Sequence, residues 1–201
     1  MKVLELFSGT CSVGKVAKQL DWETVSVDMI LPADHQCDIM NFDYKQYPKN
    51  EFDIVWASPP CTQYSKAKSR GERDIEGANK IVLKSLEIIN YFDCKYWFLE
   101  NPQTGKLKEQ SFMNSLSFVD ADYCMYGTPY RKRTRFWTNK TCNNILLCNK
   151  ECGSFIDGRH IGSCGTGGQG KGHNKSYSNK TYSVLEKYAI PEDLIFSLFL
   201  D

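Results

Sequence analysis

Apolar residues in this chain fall into short runs, interrupted by one longer helical stretch, and each run ends in a polar, glycine or proline loop. Residues 2–7, Lys-Val-Leu-Glu-Leu-Phe, read as a first strand. The loop Ser8-Gly9-Thr10-Cys11-Ser12 follows, then a helix from Val13 to about Leu20 with Ser12 as its N-cap. Thr24–Val27 forms a second strand ending at Asp28, and a third short segment ends at Cys37-Asp38-Ile39. Phe52–Ala57 is a continuous apolar run of buried-strand length that stops before Pro59-Pro60, because proline lacks a backbone donor and fixes φ. Ile81, Val82, Leu86 (with Ser85) and Ile89 line one face of a helix spanning Ala78 to Tyr91. Tyr96–Leu99 is a further strand and delivers Glu100-Asn101-Pro102. A strand from Phe118 to Tyr126 leads through Gly127-Thr128-Pro129 into an antiparallel partner over Thr134–Thr138. Pro191 suits the first turn of a C-terminal helix, and Glu192 and Asp193 suit its dipole.

Strands alternating with helices predict an α/β, Rossmann-like sheet, mostly parallel, with one antiparallel strand near the C-terminal end. No internal repeat is visible. The expected organisation is a catalytic domain over 1–140, a small irregular insertion over 141–180, and a C-terminal helix over 181–201 returning to the first domain.

Chemistry collects at the strand ends. A strand, a glycine turn at Gly9 and a helix N-terminus together make a nucleotide-like binding site. Asp28 is placed either to accept from ribose hydroxyls or as a solvated loop acid, and Asp38 stands where it can meet an adenine amino group. The dinucleotide pattern Gly-x-Gly-x-x-Gly is missing, which favours a methyltransferase over a dehydrogenase. Cys61, directly after the two prolines, is either a rigidly presented nucleophile or a small buried hydrophobe. Adjacent strands would bring Cys61 and Glu100 to the same sheet edge. The loop bearing Lys66, Lys68, Arg70 and Arg73 either contacts a phosphate backbone or is solvated. Arg133 and Arg135 share one strand face, with Thr134 and Phe136 on the other. This basic stretch with interleaved aromatics fits nucleic-acid contact or a plain charged strand end.

Composition bounds the rest. The 201 residues are 41% hydrophobic and 24% charged, with a formal net charge of +1, so any nucleic-acid binding must come from local patches. Met1-Lys2 leads straight into a strand and no apolar run approaches about 18 residues, so neither signal peptide nor membrane span is expected. The expected location is intracellular and soluble, cytoplasmic or nuclear. Nine cysteines in a reducing compartment point to metal or catalysis rather than disulfides. Cys148-x3-Cys152-x7-His160-x3-Cys164 is a candidate tetrahedral zinc set, with Cys142 as a spare ligand, in a segment too polar to bury a core. Gly165 to Gly172 follows no strand and lacks the final Ser or Thr of a phosphate loop. A loop lying along DNA, with Lys171, His173, Lys175 and Lys180, is expected there instead.

Taken together, these residues resemble the DNA (cytosine-5) methyltransferase family, in the family's order and over nearly the whole chain. Ser58-Pro59-Pro60-Cys61 through Ser65 is similar to its nucleophile motif, Glu100-Asn101-Pro102 to its acid motif, and Arg133-x-Arg135 to its paired arginines. Leu6 to Thr10 is similar to its cofactor loop. The compact length, with the target-recognition region reduced to roughly 141–180, is similar to forms found in phages and large viruses.

The resemblance implies methyl transfer from S-adenosylmethionine to carbon 5 of cytosine in DNA, through a covalent Cys61 adduct on a flipped-out base. It implies that Glu100 neutralises charge at the ring, and that Arg133 and Arg135 hold the base's carbonyl oxygen and the flanking phosphate. Cofactor contacts fall to Phe7, Ser8, Gly9, Thr10, Asp28, Met29, Asp38, Ile39 and Pro60. The sequence departs from the family pattern before the arginines, where a one-residue shift replaces the usual Gln near Tyr130 or Arg131. The same catalytic set serves an RNA substrate equally. A non-catalytic nucleic-acid-binding module on a decayed methyltransferase fold is the reading from a different class. Oligomeric state is not legible in the sequence.

Overall fold

The computed structural model describes residues 1–66, 68, 71–162 and 182–201. Its elements are β1 (Lys2–Leu6), α1 (Ser12–Gln19), β2 (Glu23–Asp28), β3 (His35–Gln36), β4 (Ile54–Ala57), α2 (Ile75–Phe92), β5 (Tyr96–Pro102), β6 (Phe118–Asp122), β7 (Arg133–Thr138), β8 (Phe155–Ile156), β9 (Arg159–His160), α3 (Val184–Tyr188) and α4 (Glu192–Leu200). Seven strands form one sheet in the order β3-β2-β1-β4-β5-β7-β6. The β1–β2, β1–β4, β2–β3 and β4–β5 pairs are parallel, and β7 runs antiparallel to both β5 and β6. Strand order reverses between β1 and β4, so the crevice for ligands lies past the C-terminal ends of those strands.

The strands are apolar on both sides because helices cover both faces. Their period of two divides the core. Leu4, Leu6, Val55, Ala57, Leu99 and Trp137 pack with Val82, Ile88, Ile89 and Phe92 of α2. Val3, Ile54, Trp56, Phe98 and Phe136 face the opposite way, against Val13, Val16 and Ala17 of α1 and Leu194, Ile195, Leu198 and Phe199 of α4. The Trp56 ring is the hub of that second layer, with ring centroids 5.1 Å from Phe98, 5.6 Å from Phe136 and 6.0 Å from Phe199. The last helix therefore completes the core that holds β4 and β5 in place.

Several expectations shift on inspection. Ser12 does not cap α1: Cys11 occupies the N-cap in a left-handed conformation, and Ser12 Oγ instead accepts the Ile190 N–H at 3.2 Å. That bond ties the C-terminal segment to the loop after β1. Helix α2 starts earlier than its apolar stripe, because the Asp74 carboxylate accepts the Gly77 N–H at 2.7 Å. The strand expected over 118–126 stops at Asp122, and residues 123–126 form a single helical turn that buries Tyr123 and Cys124. Pro191 precedes α4 as its N-cap rather than lying in its first turn.

Two small elements escaped the sequence pattern. Asp157 and Gly158, both with positive φ, close a tight hairpin between β8 and β9. Ser183 and Glu186 form a reciprocal capping box on α3. Cys164 and the Gly165–Gly172 stretch, together with Lys171, His173, Lys175 and Lys180, lie outside the described residues. Among the described residues, no helix is long and apolar enough to cross a membrane.

Leu194 is fully buried between α1 and the sheet. Leu194→Ala should destabilise the protein by about 2–5 kcal/mol, read as a lower urea midpoint at unchanged slope. A loss below about 1 kcal/mol would show that α4 is not an integral layer of the core.

Candidate functional site

The loop after β1 winds tightly, with Phe7, Gly9 and Cys11 all at positive φ, of 59°, 53° and 54°. Only glycine reaches that region freely, so the two side-chain-bearing residues hold a conformation that the surroundings must enforce. Glu5, the buried acid of β1, supplies one restraint. Its carboxylate accepts the Val13 and Gly14 N–H groups at 3.1 and 2.9 Å, fastening the start of α1 beneath the loop. A Cβ on Gly14 would sit 3.1 Å from the Glu5 oxygen, a tight contact that the carboxylate would have to shift to relieve. Burial pushes the Glu5 carboxyl up to about 7, against the lowering effect of the Gly14 and Val13 N–H groups.

Asp28 supplies the second restraint. Oδ2 accepts the Gly9 N–H at 2.9 Å, and Oδ1 accepts those of Ile30 and Leu31, each at 2.8 Å. A carboxylate offers about four lone-pair sites, so three backbone bonds leave one for a hydroxyl ligand. Met29 and Ile30 beside it are 59% and 74% exposed, an uncovered apolar shelf next to the acid. Asp38 is exposed and caps the following turn by accepting the Met40 N–H at 2.9 Å. Ile39 packs into the core beneath this turn. Ser8 is buried and Thr10 half-buried in the loop itself.

The Pro-Pro-Cys stretch continues β4 outward. Ser58 N–H donates to Leu6 O at 3.2 Å, and Ser58 Oγ accepts from Trp56 Nε1 at 3.0 Å. Pro59 is buried and Pro60 exposed. The Asn101 side chain donates to Pro59 O at 3.0 Å, locking the end of β5 to this loop. After Cys61 the chain turns sharply, with Tyr64 and Ser65 N–H groups both bonded to Cys61 O, at 3.0 and 2.9 Å. The sheet register pairs Ala57 with Leu99, so Cys61 and Glu100 do emerge at neighbouring strand ends.

Glu100 lies 3.7 Å from Lys132 Nζ and accepts a long 3.5 Å bond from the buried Tyr123 hydroxyl. Lys132 Nζ also stands 4.6 Å from the Tyr123 ring centroid. Burial pushes the Cys61 thiol up, and the Glu100 charge adds to this, while Lys132 pulls it back. Tyr188, at the end of α3, borders the same site: burial raises its hydroxyl, and the Cys61 charge adds to the shift. The sequence reading missed Lys132 and Tyr123, and it took Tyr188 only as part of Tyr188–Pro191, an echo of the family's C-terminal cofactor motif. The one-residue shift before the arginines was the available signal for Lys132, and the Ser183/Glu186 box was the signal for α3.

The arginines sit elsewhere. Glu100 pairs with Phe136 in the β5–β7 ladder, which puts Lys132, Thr134 and Phe136 on its face and Arg133 and Arg135 on the other. Arg133 forms a bidentate pair with Asp122, at 3.2 and 2.9 Å, and Arg131 forms a second at 3.0 Å for both bonds. Arg135 pairs with Asp120 at 2.7 and 2.9 Å and lies 3.4 Å from the Phe118 ring centroid. Burial alone would raise the Asp122 carboxyl, but Arg133 and Arg131 outweigh it and hold it down to about 2. The structure thus does not bring Arg133 and Arg135 to Glu100; Lys132 takes the place beside it.

The basic loop is likewise turned inward. Arg73 donates to the carbonyls of Gln63, Ser65 and Lys68, each at 2.8 Å, and Lys68 Nζ to Gln63 Oε1 and Glu72 O. Those two side chains brace the loop instead of facing a phosphate. Lys66 is exposed, and Arg70 lies outside the described residues.

Cys148, Cys152 and His160 do converge. Their fourth neighbour among the described residues is Cys124, with one ligand atom from each of the four within 4.8 Å of all the others.

A doubly wound sheet with a reversed β7, a glycine turn after β1 and an acid at the end of β2 defines a Rossmann-like methyltransferase fold. Solved structures share it. They include a prophage-encoded protein from E. coli described as a candidate DNA modification methyltransferase (17% identity, 69% of this chain and 46% of that one, TM-score 0.54). The Dnmt2 methyltransferase of S. pombe matches with 15% identity, 78% and 58% coverage and a TM-score of 0.51. This chain thus spans only 46% and 58% of those two proteins.

Residues 27–117 match the family model for C-5 cytosine-specific DNA methylase. A frog virus 3 (isolate Goorha) protein named probable DNA (cytosine-5)-methyltransferase is 36% identical over 98% of both chains. This chain belongs to that family.

Alkylation of Cys61 by iodoacetamide, followed by peptide mapping, should rise with pH around a midpoint above the ~8.5 of a free cysteine. Removing the nearby cation in Lys132→Met should move that midpoint further up. A midpoint below that of a free thiol would contradict this electrostatic account.

Proposed function

We propose that this protein methylates carbon 5 of cytosine in DNA, using Cys61 as the nucleophile and S-adenosylmethionine as methyl donor. One observation carries the reading: Cys61, Glu100 and Lys132 share a site at the ends of β4, β5 and β7, in a chain of the C-5 methylase family.

Carbon 5 of cytosine is a weak nucleophile until a group adds at carbon 6. The Cys61 thiolate supplies that addition, because sulfur both attacks and leaves well. Cys61 must lose its proton to attack, a step that burial opposes and Lys132 favours. Glu100 meets the ring nitrogen and exocyclic amine, neutralising charge as it develops there. With Arg133 and Arg135 committed to Asp122 and Asp120, Lys132 is the cation that meets the base's carbonyl oxygen.

The cofactor's residues fit an adenosyl group: Gly9 admits close backbone approach, Asp28 keeps a free lone pair for a ribose hydroxyl, and Met29 flanks it. When bound, S-adenosylmethionine supplies the electrophilic methyl group. Loss of the carbon-5 proton then expels Cys61. A stacked base is out of reach, so the target flips out, and the loop braced by Arg73 is the element that borders it.

The protein should form a covalent adduct with 5-fluorocytosine-containing duplex DNA in the presence of S-adenosylmethionine. Cys61→Ser should abolish the adduct while cofactor binding by calorimetry is unchanged. Glu100→Gln should slow methylation by roughly 10²–10⁴-fold. Failure to form any adduct on duplex DNA, with cofactor binding demonstrated, would overturn the reading. An adduct on RNA alone would transfer the chemistry to that substrate.

A further inference from the structure

The stretch from 141 to 162 presents a physical problem. None of its residues is buried: Phe155, its largest apolar side chain, is only half-buried, and Leu146 and Leu147 are 45% and 50% exposed. Its only regular structure is the two-residue-per-strand hairpin β8–β9. A segment of this size and polarity cannot offset its chain entropy by apolar burial. Yet it is held against the sheet at definite points. Asp122 N–H donates to Leu146 O at 3.2 Å, Leu146 N–H to the Tyr126 hydroxyl at 2.8 Å, and Gly162 N–H to Pro129 O at 2.8 Å.

The Cys/His cluster sits at the centre of these anchors. Cys148 Sγ and Cys152 Sγ each lie 3.4 Å from His160 Nε2. In a tetrahedral zinc site with Zn–S of about 2.3 Å and Zn–N of about 2.0 Å, a sulfur–nitrogen edge is ~3.5 Å. The 3.4 Å separations match that edge. Cys124, buried in the turn after β6, completes the set, and all four atoms fall within 4.8 Å of one another. The Lys150 N–H points at Cys148 Sγ at 3.3 Å, the kind of outer bond that steadies a thiolate ligand. The tight Asp157-Gly158 turn brings His160 back over Phe155, with ring centroids 5.2 Å apart.

We propose that Cys124, Cys148, Cys152 and His160 bind one zinc ion that staples the 141–162 segment onto the end of β6. Three thiolates and an imidazole in closed tetrahedral array select zinc over harder cations and leave no position open for catalysis, so the role is structural. These four supply a complete tetrahedral set without Cys164, which lies outside the described residues. The staple reaches the site through one acid: Cys148 N–H donates to Asp122 Oδ2 at 2.9 Å, and Asp122 holds Arg131 and Arg133.

Full-length protein purified without chelator should carry one zinc per chain by plasma mass spectrometry. X-ray absorption should show three sulfurs at about 2.3 Å and one nitrogen at about 2.0 Å. Cys164→Ser should keep both the metal and the three-sulfur shell, whereas Cys124→Ser should lose stoichiometric zinc. Absence of zinc, or a Cys148–Cys152 disulfide by intact mass, would overturn the proposal. So would a Cys164→Ser protein reduced to two sulfur ligands, a result that remains readable even where Cys124→Ser fails to fold. None of these measurements depends on methylation, so they stand or fall separately from the activity.

Discussion

The register of β6 against β7 is set by ion pairs that lie on one side of the ladder. Asp122 faces Arg133 and Asp120 faces Arg135. Each pair is bidentate, and the Asp122 side chain has no exposure to solvent. Leaving such a carboxylate without its partners costs about 3–5 kcal/mol, so any slipped register is strongly disfavoured. In a strand, a slip of one residue turns every side chain to the opposite face. The same pairing that satisfies Asp122 therefore fixes Lys132, Thr134 and Phe136 on the face of Glu100. The cation of the site follows from the salt bridges behind it.

The other side of the site depends on rigidity of a different origin. Trp56 and Phe98 lie side by side on β4 and β5, enclosed by Phe136 and by Phe199 of the last helix. Packing at that density leaves little freedom to the strand ends that carry Cys61 and Glu100. The Asn101 bond to Pro59 O joins the two ends directly. The thiol is thus positioned by core packing from behind and by a buried amide from the side, while its own burial pushes its titration up.

Legibility tracked the range of the interactions. Apolar runs bounded by proline or glycine located β1, β4 and β5, and adjacency of Cys61 and Glu100 followed from the rule that successive parallel strands open on the same edge. The acid after β2 was equally readable. Helix starts were less so: Ser12 was a reasonable cap by residue type, but the tightly wound loop placed Cys11 there and gave Ser12 to Ile190, a partner 178 positions away. The arginines were misplaced because a motif specifies residue order, while the face a side chain occupies depends on pairing with Asp120 and Asp122. Cys124 could not be joined to Cys148 and Cys152 by spacing, since the turn after β6 brings it there.

By itself, then, the sequence determined the sheet, the strand ends that carry chemistry and the identity of the candidate nucleophile, because hydrophobic period, proline stops and glycine turns act within a few residues. The tertiary structure alone decided which cation stands beside Glu100 and which four groups among the described residues meet around the 141–162 segment. It also decided which basic side chains brace their own loops, as Arg73 does on three carbonyls. Those outcomes rest on buried charge pairing and long-range closure, where the energy of a partner distant in sequence outweighs any local preference.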